Sequence, residues 1–353
     1  MRASQLLFVI LGLTFGRTAP CRADLPFLVL GGAQPACTMV RGQTDDFAAE
    51  RLQSWLTDRC GANVAVVVAG EQPLPDGGCL ILLGTAESNP ALRRIAAEAK
   101  LDITTAALTD QGYLAKTLRH DGRDCLVLAG GGRDGVLYAV TDLINWRLAC
   151  DEDGIRIPPL DVREIPRFKY RWFWNWDHRM DWGGAGRVGS AMGGGGTFSK
   201  EPEAFLVDGK NCVDYMADHK FNGLILWGFL RDTHGGIEAT QELCRYANLR
   251  GVRILPGVGT SGYAGYYFEG DHPYNADTWI KAHPELRAVD RNGKPHNAPC
   301  PSKKANQDWL DEGAKWIFKT FEIGGVNLEM GDFFVCYCND CTHARAAIRS
   351  DEP

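Results

Sequence analysis

Four times after residue 166 a short apolar run appears, and three of these runs are followed by a segment with helical periodicity. Nothing else in the chain limits its folds so strongly. FKYRWFWNW reads as a strand, FLVDGKNCVDYMADHK as a helix, FNGLILWGFL as a strand and IEATQELCRYANLRG as a helix closed by glycine. VRILPGV, NQDWLDEGAKWIFKTF and GGVNLEMGD continue as strand, helix and strand. Short apolar strands separated by helices belong to a parallel sheet or barrel. A (β/α)8 barrel takes ~250 residues, more than the chain offers between Phe168 and Pro353. The sequence stops inside what reads as the next helix, so it predicts the first half of a TIM-type barrel, as a truncated reading frame or fragment.

Upstream, strands and helices alternate in a smaller α/β layer. FLVLGG (Phe27–Gly32), VAVVV, LILLG and the alternating YLAKTLRH read as strands, and DDFAAERLQSWLTDRCG (Asp45–Gly61) as a helix with a glycine stop. CLVLAG leads through a glycine cluster into a helix from about Asp134 to Trp146. IPPLDVREIPRF (Ile157–Phe168) is proline-rich without helical period and reads as a linker. The division is therefore a signal peptide at 1–23, an α/β accessory domain at 24–165 and a partial barrel, strands one to four, at 166–353.

The signal reading rests on Arg2, an apolar core at Leu6–Phe15 and a small residue, Ala23, where cleavage can fall. That core is too short to span a bilayer, and no other segment is long and apolar enough, so we expect a secreted or periplasmic protein without a membrane span. Twelve cysteines suit an oxidising compartment. A net charge of −6 without a basic run excludes a nucleic-acid surface. No oligomeric state follows from the sequence.

Gly130, Gly132 and Gly135 match the G-x-G-x-x-G spacing of a dinucleotide-binding turn. Such a turn usually opens its domain, and its helix leads to a strand ending in an acid. Here the turn comes late, and Asp151, Glu152 and Asp153 precede the proline-rich stretch. We expect these glycines to serve close packing.

The stretch GYLAKTLRHDGRDCLVLAGGGRDGVLYAVTDLI, through Gly112, Tyr113, Gly135, Leu137, Tyr138 and Ala139, resembles the end of the accessory domain that precedes the barrel in bacterial β-hexosaminidases and α-glucuronidases. PRFKYR (Pro166–Arg171) resembles the entry to their first barrel strand. The resemblance implies a glycoside hydrolase that cleaves O-glycosidic bonds, at uronic acid or amino sugar ends, with carbohydrate as partner and no required cofactor. It makes Arg171 a ligand of sugar hydroxyls, and Trp174-Asn175-Trp176-Asp177 is similar to a Trp-Asp-Asn stretch in α-glucuronidases.

Function in such barrels collects at the C-terminal strand ends. Trp174 offers an indole face to a pyranose, or fills the barrel. Asp177, beside His178, is expected to face the pocket. Trp227, Arg231 and His234 follow the second strand as pocket or rim residues. SAMGGGG (Ser190–Gly196) is a loop without the lysine of a phosphate loop. A connection of about fifty residues, Gly257 to Asn306, is long enough to be functional. Glu329 falls near the end of the fourth strand, where a protonated carboxyl can donate to a leaving oxygen; Asp332 is its candidate partner. Hexosaminidases carry an adjacent Asp-Glu pair at this point, and this chain has Asp332-Phe333 instead. That departure leaves open a non-catalytic carbohydrate-binding protein on the same scaffold. Cys336, Cys338 and Cys341 form C-x-C-x-x-C, either a structural zinc site with Cys300, Cys212 or His343 as fourth ligand, or a set of disulfides. A Cys-rich metal-binding module is thus a further alternative.

Overall fold

The computed structural model describes residues 28–30, 37–61, 64–151, 154–177, 201–260, 262–329 and 335–350. Its first layer runs β1 (Leu28–Leu30), β2 (Cys37–Arg41), α1 (Asp46–Cys60), β3 (Ala65–Val68), β4 (Cys79–Gly84), α2 (Pro90–Glu98), α3 (Thr105–Leu108), β5 (Tyr113–His120), β6 (Arg123–Gly130) and α4 (Arg133–Asp142). It closes with β7 (Ala149–Asp151), β8 (Gly154–Ile157) and β9 (Asp161–Glu164). The main sheet has the order β3-β2-β4-β6-β5-β9. β3, β2, β4 and β6 are parallel, while β5 is antiparallel to both of its neighbours.

Alternation along β4 and β6 explains why this sheet is buried on both sides. Ile81, Leu83, Leu126 and Leu128 pack against α1 and α4, while Leu80, Leu82 and Val127 pack against α2 and α3. α1 stops at Gly61, whose φ of 61° is the left-handed conformation glycine adopts freely; its amide bonds back to Leu56 and Thr57 carbonyls.

The stretch read as a linker is an edge strand. β9 pairs with β5 from Tyr113↔Glu164 to Lys116↔Asp161, and Val162 packs on the core. Its prolines flank the ladder without interrupting it, as an edge strand permits. The helix expected to reach Trp146 is α-helical to Asp142 and continues as a π-helical turn over Leu143–Arg147.

The second layer is a half-barrel. It contains β10 (Trp172–Trp176), α5 (Pro202–Asp218), β11 (Gly223–Trp227), α6 (Gly236–Leu249), β12 (Arg253–Gly259), α7 (Ala276–Ala282), β13 (Arg287–Val289), β14 (Pro295–Pro299), α8 (Lys304–Thr320), β15 (Asn327–Glu329) and α9 (Asn339–Ser350). β10, β11, β12 and β15 form one parallel sheet in chain order, which is the topology of four consecutive barrel strands. The long connection after β12 has its own structure. Asn275 caps α7 by accepting from the Thr278 amide at 3.0 Å, and β13 and β14 form a hairpin. Gly293 takes a φ of 81° in its turn, and the Asp290 carboxylate accepts from the Asn292 and Lys294 amides there.

The accessory layer meets the N-terminal ends of the barrel strands. Arg133 donates to the Asn248 and Leu249 carbonyls, and the Lys220 ammonium reaches the Tyr113 hydroxyl at 3.1 Å and the Glu164 carboxylate at 3.3 Å. The C-terminal strand ends lie on the other side. Among the described residues no helix is long and apolar enough to cross a membrane.

Candidate functional site

Strand parity sorts the barrel side chains into two sets. Leu224, Leu226, Ile254 and Val258 face α5, α6 and α8 and form their shared core. Trp172, Trp174, Trp176, Trp227, Asn327 and Glu329 share the opposite, inner face. Trp172 and Trp174 are 45% and 48% exposed there.

At the C-terminal ends this face becomes an aromatic wall. The Trp227 indole N–H donates to Asn327 Oδ1 at 3.0 Å, and its ring lies 5.5 Å from Trp176 and 5.3 Å from Tyr263. Glycine at 257 makes this possible, because a Cβ there would come within 2.2 Å of the Trp227 ring. Trp176 also meets Phe268 edge-on at 5.9 Å. Glu329 pairs with Gly259 in register, two residues beyond Asn327 on the same face. The fourth strand therefore presents a carboxyl group at the top of the wall.

Beneath the rim lies a charged network. Asp177, at the end of β10, is completely buried and accepts from Arg231 Nε at 2.6 Å, with His234 Nε2 at 3.5 Å. Arg231 extends to Glu269 at 2.8 Å and covers the Phe268 ring at 4.4 Å. The His234 ring stacks on Phe205 at 4.6 Å. The network joins the ends of β10 and β11 to the loop after β12. Nearby, burial followed by the Asp232 carboxylate pushes the Tyr267 hydroxyl pKa up, so it stays neutral and donates to Asp232. Burial also holds His272, stacked on Tyr267, below the usual histidine range.

Of the residues singled out from sequence, Trp174, Trp227 and Glu329 share the inner face, where Trp174 is half exposed but Trp227, expected at a pocket or rim, is completely buried as packing. Asp177, Arg231 and His234 come together as a buried group at its rim, where Asp177 is covered, not open to a pocket. His178 and Asp332, with the Ser190–Gly196 loop and the signal segment, lie outside the described residues. Arg171 is at the wrong end for the expected sugar contact. Its guanidinium precedes β10 and donates to the Lys220 carbonyl, Gln111 and the Tyr138 hydroxyl at 2.7, 2.8 and 2.9 Å. It is a strut between the layers, at the strand end where conservation of geometry serves stability. Tyr263, Phe268, Asn327 and Glu269 are not among the sequence-derived site residues, and Trp176 enters there only within the stretch likened to α-glucuronidases. For two of these a signal existed: the i, i+2 spacing places Trp176 with Trp174 and Asn327 with Glu329.

The glycine turn is used for close backbone packing. A Cβ at Gly135 would lie 2.2 Å from the Gly112 carbonyl oxygen, and one at Gly131 2.0 Å from that of Thr109. The Gly131 and Gly135 amides donate to the Gly112 and Asp110 carbonyls. The segment before β5 occupies the space and the donors a pyrophosphate would need.

A separate cluster could hold a metal. The sulfurs of Cys300, Cys336, Cys338 and Cys341 all lie within 4.8 Å of one another. Cys300, at the end of β14, is thus the partner of the C-x-C-x-x-C motif. Cys212 is instead packed among Phe205, Val213 and Met216 in the helical core. Burial opposes ionisation of Cys338, but the Cys341 amide and the neighbouring thiols outweigh it and lower its pKa to about 7.

No family model matches the chain, and no curated protein does. Solved structures do. A family GH20 exo-β-N-acetylglucosaminidase from Vibrio harveyi, in complex with N-acetylglucosamine, superimposes with a TM-score of 0.52 at 13% identity, covering 93% of this chain and 50% of that one. CpGH84B gives 0.50 at 13% identity over 93% and 47% of the two chains, and CpGH84D 0.51 at 10% identity over 85% and 41%. The chain spans about half the length of these structures. The α-glucuronidase side of the resemblance draws no support from them. At such identities the likeness shows the fold alone: an α/β layer followed by part of a (β/α)8 barrel.

Proposed function

We propose that this chain is an exported glycosidase that hydrolyses O-glycosidic bonds at the amino-sugar ends of oligosaccharides or polysaccharides. The observation that carries the reading is Glu329, placed by strand register at the C-terminal end of the fourth strand on the face that bears Trp174, Trp176 and Trp227. The accessible indoles of this face, Trp174 and Trp176, can pack on the apolar face of a pyranose while the buried Trp227 supports them, and a carboxyl beside them can protonate the departing oxygen. The GH20 structure that shares this fold is a β-N-acetylglucosaminidase, which directs the choice toward amino sugars. Asp332 is our candidate for the second carboxyl group. Cys150 is disulfide-bonded, which supports an oxidising compartment and so export.

The test is turnover of aryl β-N-acetylglucosaminides by the full chain and by Glu329→Gln. Removing a general acid lowers kcat ~10²–10⁴-fold. We expect a loss in that range, smaller for nitrophenyl than for poorer leaving groups, with sugar affinity retained. Unchanged turnover in Glu329→Gln would overturn the assignment. Sugar binding without any turnover by the unaltered chain would return the non-catalytic carbohydrate-binding reading.

A further inference from the structure

The C-x-C-x-x-C motif takes no part in the proposed hydrolysis, and its surroundings point to a different task. Cys300 Sγ lies 3.6 Å from the sulfurs of Cys336, Cys338 and Cys341 alike. A disulfide needs about 2.05 Å between sulfurs. Four thiolates on a tetrahedral zinc at about 2.3 Å stand about 3.8 Å apart. The four sulfurs are free thiols arranged about a common centre. The three approaches to Cys300 fit shared coordination, and none of the three fits a covalent bridge.

The donors around the sulfurs agree. The Val289 amide faces Cys336 Sγ and the Cys341 amide faces Cys338 Sγ, both at 3.5 Å. The Ser302 hydroxyl lies 2.9 Å from Cys341 Sγ. Amide and hydroxyl donors aimed at thiolate sulfur spread the negative charge of an all-sulfur site and fix its ligands in place. Arg345 adds a cation on the same side, donating to the Cys336 carbonyl at 2.7 Å.

Packing alone gives this corner little. Its buried apolar set is Ala288 and three of the cysteines, with Val289 and Cys338 at its edge. Val335 and Ile348 stay exposed on the segment that follows β15. A core so small does not hold a helix such as α9 by itself. Four soft thiolates in a closed set leave no open position for water or substrate, which marks a structural and not a catalytic ion.

We propose that Cys300, Cys336, Cys338 and Cys341 bind one zinc ion that ties the β13–β14 hairpin to the start of α9. The ion joins two chain segments that flank α8 and β15. It thereby anchors the connection that leaves the strand carrying Glu329, while taking no part in bond cleavage. This inference does not depend on the proposed hydrolase activity.

The experiment is elemental analysis of the full chain, purified without chelator, alongside Cys338→Ser and Cys212→Ser. The unaltered chain and Cys212→Ser should each carry one zinc per chain, and Cys338→Ser should lose most of it. If Cys338→Ser does not fold, the unaltered chain suffices: an organomercurial that titrates thiols should release the zinc as it consumes four of them, and cobalt exchanged into the site should show the intense thiolate charge-transfer absorption of a tetrahedral all-sulfur centre. Hydrogen exchange should then rise over α9 and the β13–β14 hairpin when zinc is removed. Peptide mapping that finds a disulfide among the four cysteines, a chain without zinc from zinc-supplemented medium, iron in its place, or zinc retained in Cys338→Ser would overturn the proposal.

Discussion

The two sheets of this chain hide themselves differently. In the accessory sheet Leu80, Leu82 and Val127 are buried on one face and Ile81, Leu126 and Leu128 on the other. In the barrel sheet only the outer face, with Leu224, Leu226 and Ile254, is closed in this way. Its inner face carries the half-exposed Trp172 and Trp174 beside the buried Trp227, with an asparagine and a glutamate. A sheet whose task is to fold spends both faces on apolar contact. Four barrel strands by themselves leave part of their inner face open, and the accessory layer, packed at the opposite strand ends, leaves its C-terminal rim clear.

The difference can be broken by substitution. The largest effect is expected at the rim network. Asp177→Ala leaves the Arg231 guanidinium buried without its closest partner, and breaking such a pair costs ~3–5 kcal/mol. Denaturant titration followed by a barrel-specific probe would measure it; a loss under 1 kcal/mol would mean that the network is solvated. Next comes Leu126→Ala in the accessory core, with an expected cost of ~2–5 kcal/mol. Smaller still is Trp227→Phe, which removes the bond to Asn327 and part of a fully buried ring, together worth ~1–3 kcal/mol. The smallest is Trp174→Ala on the half-exposed inner face, expected within ~1 kcal/mol of the parent. If Trp174→Ala proved as costly as Leu126→Ala, the inner face would be core and the contrast between the sheets would fail.

The sequence made the architecture readable where hydrophobic period was strong. Tyr113–His120 alternates, and it is β5 over that span. Asp45–Gly61 has helical spacing and a glycine stop, and α1 occupies Asp46–Cys60. α2 went unread although Asn89-Pro90 marked it: the Asn89 side chain accepts from the Leu92 amide, and proline needs no partner at the first helical position. β9 was hidden because proline-rich flanks resemble a linker, and edge pairing is a tertiary fact that no local pattern records. The hairpin and α7 inside the long connection were hidden likewise, though the Asn292-Gly293 turn gave a local hint.

The site was legible in part. Glu329 could be found from its place at the end of the fourth apolar run, and strand register puts it on the inner face. Parity within WFWNW already placed Trp176 beside Trp174, but deciding which face pointed inward needed the helices to be in position. Arg171 misled because a resemblance carries residue type and order, while its three side-chain bonds to the Lys220 carbonyl, Gln111 and Tyr138 exist only after the two layers meet. The fourth cysteine was undecidable from spacing, since Cys300 is brought to the motif by the hairpin.

The central claim is that the inner barrel face, and not the accessory layer, receives the sugar. Calorimetric titration with a β-linked N-acetylglucosamine disaccharide tests it directly, using the full chain, Trp176→Ala from the barrel wall and Trp146→Ala, whose indole is 75% exposed on the accessory layer. The account predicts binding by the parent and by Trp146→Ala, and a loss of at least tenfold in affinity for Trp176→Ala, which corresponds to about 1.4 kcal/mol. Equal affinity for all three proteins, or a loss confined to Trp146→Ala, would contradict it.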